Sequence, residues 1–280
     1  MKLVRICMYA FMPVLGLGLI WLSGCTSKDA GSSTPAPAPS GKGGEKRKPA
    51  KIAGYATLKG KVTYNGDAAA MKVAKIKPTK DPDKCPAEID GAGWYVKDAS
   101  TKGIRYVVVF LKAPSNLRMP KDDENKNKPA TPFVELRQPE CQFEPRVQVM
   151  HPAQKLKAFN DSDIQHDTKL DGPNRSYGRT MPPRSELEVD PDSSNSDPYK
   201  LSCNIHTGMM HGYIWKFEHP WAAVTDKTGN YEIKNVPLLE SGALDVWVWH
   251  EMLPDNQMKK VAPISAKDGD TQTLDIGLPK

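Results

Sequence analysis

Apolar and polar residues alternate with a period of two along much of the chain from residue 54 onward, the pattern of strands buried on one face. Leu58, Gly60, Val62 and Tyr64 alternate with Thr57, Lys59, Lys61 and Thr63, and Asn65-Gly66-Asp67 follows as a turn signal. Phe143, Val147 and Val149 alternate with Glu144, Arg146 and Gln148; Tyr213, Trp215 and Phe217 with Ile214, Lys216 and Glu218; Tyr231 and Ile233 with Glu232 and Lys234. Residues 106–111 form a continuous Val-rich apolar run, which predicts a strand covered on both faces. In the segment ending at His250, Val246, Val248 and His250 should face one way, Trp247 and Trp249 the other.

Pro/Gly/Asp/Asn clusters at 121–132, 171–183 and 190–198 read as loops too long for hairpin turns. Apolar residues never keep a 3.6 spacing over three turns, and neither heptads nor a convincing internal repeat occur. Proline makes the same point: 25 in 280 residues is nearly twice the usual ~5 % and leaves little room for long helices. The predicted class is therefore all-β, a sandwich of short strands.

The first residues differ in kind. Lys2 and Arg5 precede an uncharged apolar run, residues 6–22, broken by Pro13, Gly16 and Gly18, a secretory signal pattern. It closes on Leu22-Ser23-Gly24-Cys25, which resembles the lipobox of bacterial lipoproteins and implies a signal peptide over 1–24 and a lipid on Cys25. The alternative is an uncleaved N-terminal anchor. Either way the body is exported to the cell envelope, periplasmic or outer-membrane. Cleavage takes Lys2 and Arg5 from the 39 basic residues, leaving 37 against 33 acidic, a mild +4. Part of that excess lies in a Ser/Pro/Ala/Gly-rich stretch, so residues 25–53 are expected to be a disordered tether. Elsewhere charges of both signs are interspersed, which gives no nucleic-acid footprint.

Cysteine parity turns attention to one thiol. Cys7 leaves with the signal and Cys25 carries the lipid, so Cys85, Cys141 and Cys203 remain, and at most one disulfide can form among them. Sequence does not fix the pairing; pairing of Cys85 with Cys141 would leave Cys203 free. Cys203 alone has soft and borderline metal ligands close by: His206, Met209, Met210 and His211. A thiolate, imidazoles and a thioether favour copper, and two His with one Cys and a weak axial Met form the electron-transfer set of blue copper sites. His166 could supply the distant imidazole, with Cys203, His206 and Met209 following on one loop. Met210 is a rival for the axial place, and His211 could join Cys203 and His206 in a zinc set. His151, His219 and His250 have no evident partner and read as ordinary surface or core histidines.

The run Cys203-Asn204-Ile205-His206-Thr207-Gly208-Met209-Met210-His211-Gly212-Tyr213-Ile214 resembles the ligand loop and last strand of cupredoxins, and more closely those of plastocyanin-like, methylamine-utilisation-type bacterial lipoproteins. Residues 138–147, with Gln138, Cys141, Phe143, Pro145 and Val147, resemble that family's Q-x-x-C-x-F-x-P-x-V strand. Residues 159–166, with Asn160 and His166, are similar to its N-x-D-x-x-x-H segment, whose His is the first copper ligand. Asp167 stands where the family has Asn, placing extra charge near the metal. Flanking segments resemble carboxypeptidase-regulatory-like sandwiches: Gly60, Val62 and Gly66 in an opening strand, then Thr225-Asp226 with Gly229, Tyr231, Ile233, Val236 and Pro237.

These resemblances imply a Greek-key cupredoxin-like β-sandwich over 103–219, plus a transthyretin/carboxypeptidase-regulatory-like sandwich portion built from 54–102 and 220–280. They imply one type 1 copper ion on His166, Cys203, His206 and Met209, with Cys85 and Cys141 as the disulfide candidates. The expected activity is single-electron transfer at the cell envelope to a redox partner protein such as a cytochrome, with the membrane reached through the lipid; no enzymatic role is expected. The family analogy exposes an edge of His206 as the electron port, with Met210 and Tyr213 as docking contacts. A metal-free adhesion or scaffold module, and a copper storage or delivery protein using the same ligands, are the alternatives.

Overall fold

The computed structural model describes residues 47–67, 71–122, 126–254 and 258–279. The expected signal peptide, the expected lipid-bearing Cys25 and most of the expected tether lie outside them. Strand structure begins before residue 54: Lys48–Pro49 pairs in parallel with Leu117–Arg118, and Ile52 opens a 13-residue strand, Ile52–Tyr64. Among the described residues no helix is long and apolar enough to cross a membrane.

The body is all-β and made of two sandwiches. In the first, a five-stranded sheet runs in the order Ser176–Met181, His166–Asp171, Tyr199–Ser202, His211–Lys216, Val147–Met150. Its facing sheet has three strands, Glu186–Val189, Lys155–Phe159 and Phe133–Arg137. Leu136, Leu156, Ala158, Leu170, Leu201 and Ile214 fill the space between them and are fully buried. Alternation explains the choice: in Tyr199–Ser202, Tyr199 and Leu201 point inward while Lys200 is exposed.

The second sandwich is assembled from both ends of the described chain. One sheet is Ala222–Val224, Val108–Lys112, Asp245–Trp249, Lys259–Pro263, antiparallel throughout. The other centres on Ile52–Tyr64, which pairs antiparallel with Asn230–Leu239 and parallel with Thr271–Thr273 and Ile276–Leu278. The Val-rich run becomes the interior strand Val108–Lys112, buried from Val108 to Leu111, and it pairs with the flanking segments rather than with the first sandwich. Burial on both faces has a plain cause here. Val109 and Leu111 enter the core with Val246 and Val248, while Val108 and Phe110 face outward onto Val147, Trp215, Phe217 and Trp249 of a third cluster that joins the two sandwiches.

The Thr225–Tyr231 motif is structural. Thr225 Oγ1 donates to the Ile104 carbonyl (2.7 Å) and accepts the Val107 N–H (2.9 Å), both in the interior. The Asp226 carboxylate accepts the backbone N–H groups of Thr228 (2.8 Å) and Asn230 (2.9 Å), closing the turn. Gly229 has φ +86°, and a Cβ there would sit 2.4 Å from the Val62 carbonyl oxygen, so only glycine fits.

Two loop expectations divide. Residues 190–198 carry no strand, but 171–183 contain Ser176–Met181, paired over all six residues with His166–Asp171. Four of its six residues are exposed and Met181 alone is buried, as an edge strand allows, so no hydrophobic period marks it. The strand expected from Phe143 starts only at Val147; Phe143 is instead a buried plug in the preceding loop.

Candidate metal centre

His166 opens the strand His166–Asp171, and Cys203 and His206 lie on the loop that joins Tyr199–Ser202 to His211–Lys216. These two central strands adjoin Tyr199–Ser202 on either side, which brings residues separated in sequence to one end of the sheet. His166 Nδ1 lies 3.0 Å from His206 Nδ1, and Cys203 Sγ lies 3.7 Å from His206 Nδ1. One donor atom from each of the three falls within 4.8 Å of the others. Donors bound at about 2.0–2.3 Å to a single ion stand at such separations, so the trio fits one metal ion. All three are buried: His166 and His206 are 0 % exposed, Cys203 2 %.

The surroundings fix each donor. Cys203 Sγ accepts the backbone N–H groups of Asp167 (3.2 Å) and His206 (3.4 Å), which fix the sulfur in place. His206 Nε2 meets Asp81 Oδ2 at 3.1 Å, the carboxylate–imidazole arrangement that orients a metal-bound histidine. Burial, and secondarily the neighbouring His206, push His166 down to about 4, so its imidazole is neutral and its nitrogen lone pair free at pH 7. His166 Nε2 is buried without a hydrogen-bond partner. The Asp167 carboxylate accepts from Thr180 Oγ1 (2.7 Å), while its backbone, not its side chain, reaches the sulfur.

Asn160 ties down the approach to His166. Its amide nitrogen donates to the carbonyls of Ile164 (2.8 Å), Pro182 (2.9 Å) and Met181 (3.1 Å), and its oxygen accepts from Ser162. Asn160→Ala leaves several of these buried groups without partners and is expected to cost about 2 kcal/mol. Urea unfolding checks that figure, and a cost below about 0.5 kcal/mol would contradict it.

Cys85 and Cys141 form a disulfide across 56 residues, and Cys203 is the free, buried thiol among the described cysteines. The bond lies against the site: its two sulfurs and a His206 nitrogen also fall within 4.8 Å of one another.

No protein-family model matches this chain, and no curated protein matches it either. What it can hold must be read from its own donor set.

Met209 and Met210 are both buried in the cluster that contains Cys203, at 2 % and 1 % exposure, and neither sulfur has a described polar contact with the trio. Met209 also lines a cavity of about 150 Å³ with Tyr95, Arg146 and His211. His211 stands apart from the metal trio. Its Nε2 accepts from Arg146 Nη2, and its Nδ1 faces the Met209 carbonyl at 3.2 Å, so both ring nitrogens are engaged and the alternative zinc set with Cys203 and His206 does not assemble. Among the described residues His151, His219 and His250 join no metal-holding group.

The expected electron port needs correction. His206 offers no edge to solvent and Met210 is enclosed with it, while Tyr213 packs its ring against Trp249 at 4.8 Å. The physical reason is the 81–85 turn, which places Asp81 on the imidazole edge and is tied down at Cys85. Sequence reading missed Asp81. It lies 125 residues from His206 in an Asp/Lys/Pro-rich loop where one more carboxylate carries no signal.

Proposed function

We propose that this protein is an exported, lipid-anchored, cupredoxin-like electron carrier that holds one copper ion on His166, Cys203 and His206. The observation that carries this reading is the convergence of two imidazole Nδ1 atoms and one thiol in a buried pocket, with two backbone N–H groups aimed at the sulfur. Soft sulfur with two imidazoles is a copper donor set, and the bound ion supplies a one-electron couple.

The chain's own residues then do the rest. The Asp167 and His206 N–H groups hold Cys203 Sγ in one position. Asp81 orients His206, and Asn160 keeps the turn before His166 from moving. A cage held on several sides changes little between two oxidation states, which keeps reorganisation small. Met209 and Met210, buried in the same cluster as Cys203, would supply a thioether and apolar packing beside the ion. His206 and Asp81, whose side chain is 31 % exposed, would lie between the bound ion and a redox protein such as a cytochrome. The disulfide suits an exported protein, and a lipid on Cys25 would keep the carrier at the membrane.

Full enclosure of all three ligands argues against a delivery protein, which must exchange its ion readily, and a free thiol kept beside two imidazoles argues against a metal-free scaffold. Purified protein loaded with Cu(II) should show an intense thiolate-to-copper band near ~600 nm that Cys203→Ser abolishes. Its absence from the loaded wild type would end this reading.

A further inference from the structure

The Cys85–Cys141 bond has an unusual neighbour for a structural disulfide. Both sulfurs come within 4.8 Å of a nitrogen of His206, the imidazole shared with Cys203 and His166. Four soft or borderline donors are thus gathered around one ring, and the bond withholds two of them. The bond also closes the turn that carries Asp81: the Cys85 N–H donates to the Asp81 carbonyl (3.0 Å), and the Asp81 side chain meets His206.

We propose that two-electron reduction of Cys85–Cys141 opens a thiolate-rich site on His206 that takes a soft monovalent ion, Cu(I). The inference rests on His206 being a metal ligand, as read above. The reductant is a dithiol. One of its thiolates attacks Cys85 Sγ, the more accessible sulfur at 9 % residue exposure against 0 % for Cys141, and the S–S bond breaks with Cys141 leaving as a thiolate. The second thiol of the reductant then displaces Cys85 and departs as its own cyclic disulfide. Two electrons have entered the protein, and the two new thiols release their protons to solvent as the ion binds. Cys85, Cys141 and His206 then present two sulfurs and one nitrogen, a set that favours Cu(I) over harder divalent ions. Because His206 belongs to both groups, the ion moves toward the new sulfurs rather than a second ion being added independently.

The test is a Cu(I) titration against a chromophoric chelator, before and after the full protein is reduced with dithiothreitol and desalted anaerobically. Reduction should tighten Cu(I) binding by at least about 100-fold. The Cys85→Ser/Cys141→Ser double variant should bind equally before and after the same treatment, and His206→Ala should lose most of the increase. An unchanged affinity in reduced wild type overturns the proposal, and so does a bond that dithiothreitol does not open in the folded protein. An increase that survives His206→Ala, or that comes with loss of the near-ultraviolet circular dichroism, is chelation by two loose thiols and overturns it too. Cys203→Ser separates this inference from the electron-carrier reading: it removes the ~600 nm band and keeps the reduction-dependent increase. A wild type with that increase but no band would end the carrier reading and keep this one.

Discussion

Lowering the pH from 7 to 4.5 is expected to cost the fold about 5 kcal/mol through His219 and His250 alone. Both rings are buried, and burial pushes each down to about 3, helped by the nearby cations Lys112 for His219 and Arg146 for His250. Backbone hydrogen bonding at Leu111 for His219 and at Arg105 for His250 opposes this shift without outweighing burial. The Nδ1 of His219 accepts the Trp221 N–H (3.2 Å) and that of His250 accepts the Met252 N–H (3.3 Å), so protonation at Nδ1 must break a bond already made. His250 also stacks on Trp94 with ring centroids 4.9 Å apart, which leaves no room for water. In the unfolded chain both histidines titrate near ~6.5. Between pH 6.5 and 3 the unfolded state therefore binds more protons, and stability is full above the upper value and falls as the pH drops through the window. Each ring contributes a slope of about 1.4 kcal/mol per pH unit. Against a total stability of about 5–15 kcal/mol, two such rings can decide whether the protein is folded at pH 4.5. Urea unfolding at stepped pH should show the fall, and His250→Gln should remove close to half of this slope. A stability that stays flat from pH 7 to 4.5 would contradict the assignment.

Glu251→Ala should destabilise the protein by about 3–5 kcal/mol. Arg146 ends the loop before Val147–Met150 in the first sandwich, and Glu251 follows Asp245–Trp249 in the second. Their side chains are 8 % and 4 % exposed and meet in two contacts, Nη2–Oε2 at 2.8 Å and Nε–Oε1 at 3.1 Å. Removing the carboxylate strands a guanidinium where water hardly reaches it. The paired swap Arg146→Met/Glu251→Leu removes both charges and should recover most of the loss, since buried ion pairs seldom outdo well-packed apolar groups. It should not recover the metal loop, because Arg146 also holds His211, and His211 holds the Met209 carbonyl. Stability and the ~600 nm band should therefore separate in this variant, the first restored and the second shifted or broadened. A single-variant cost below about 1 kcal/mol would mean that the pair is solvated in solution.

Of the trio that could hold a metal, Cys203 and His206 were legible locally, three apart on one loop, while His166 was read from its family-like segment and its separation from Cys203. Strands with one wet face were legible for the same reason, since burial writes a period of two into residues 57–64 and 230–233. Ser176–Met181 was not, because an edge strand held by its backbone ladder to His166–Asp171 needs no apolar side chains. Odd cysteine number required an unpaired thiol without naming it; the structure pairs Cys85 with Cys141 and leaves Cys203. Asp81 and the enclosure of His206 were hidden from sequence because they depend on a loop folding back from more than a hundred residues away.

The strand Ile52–Tyr64 takes its partners from Asn230–Leu239, Thr271–Thr273 and Ile276–Leu278, whereas the sheets around the metal trio draw only on residues 133–216. For a chain that emerges from its N-terminal end, this sets an order of assembly. The inner module has all its strands well before the last strand of the outer one arrives, so it can close first while Ile52–Tyr64 waits with both edges open. Val108–Lys112 and Ala222–Val224, which flank the inner module in sequence, are hydrogen-bonded neighbours, so the module leaves and re-enters at nearly one point. The late step is then the zipping of distant strands around an already folded insert, a slow event of high contact order. During that interval an unpaired, half-apolar strand is open to other chains, and crowding among half-made copies is the hazard this topology carries.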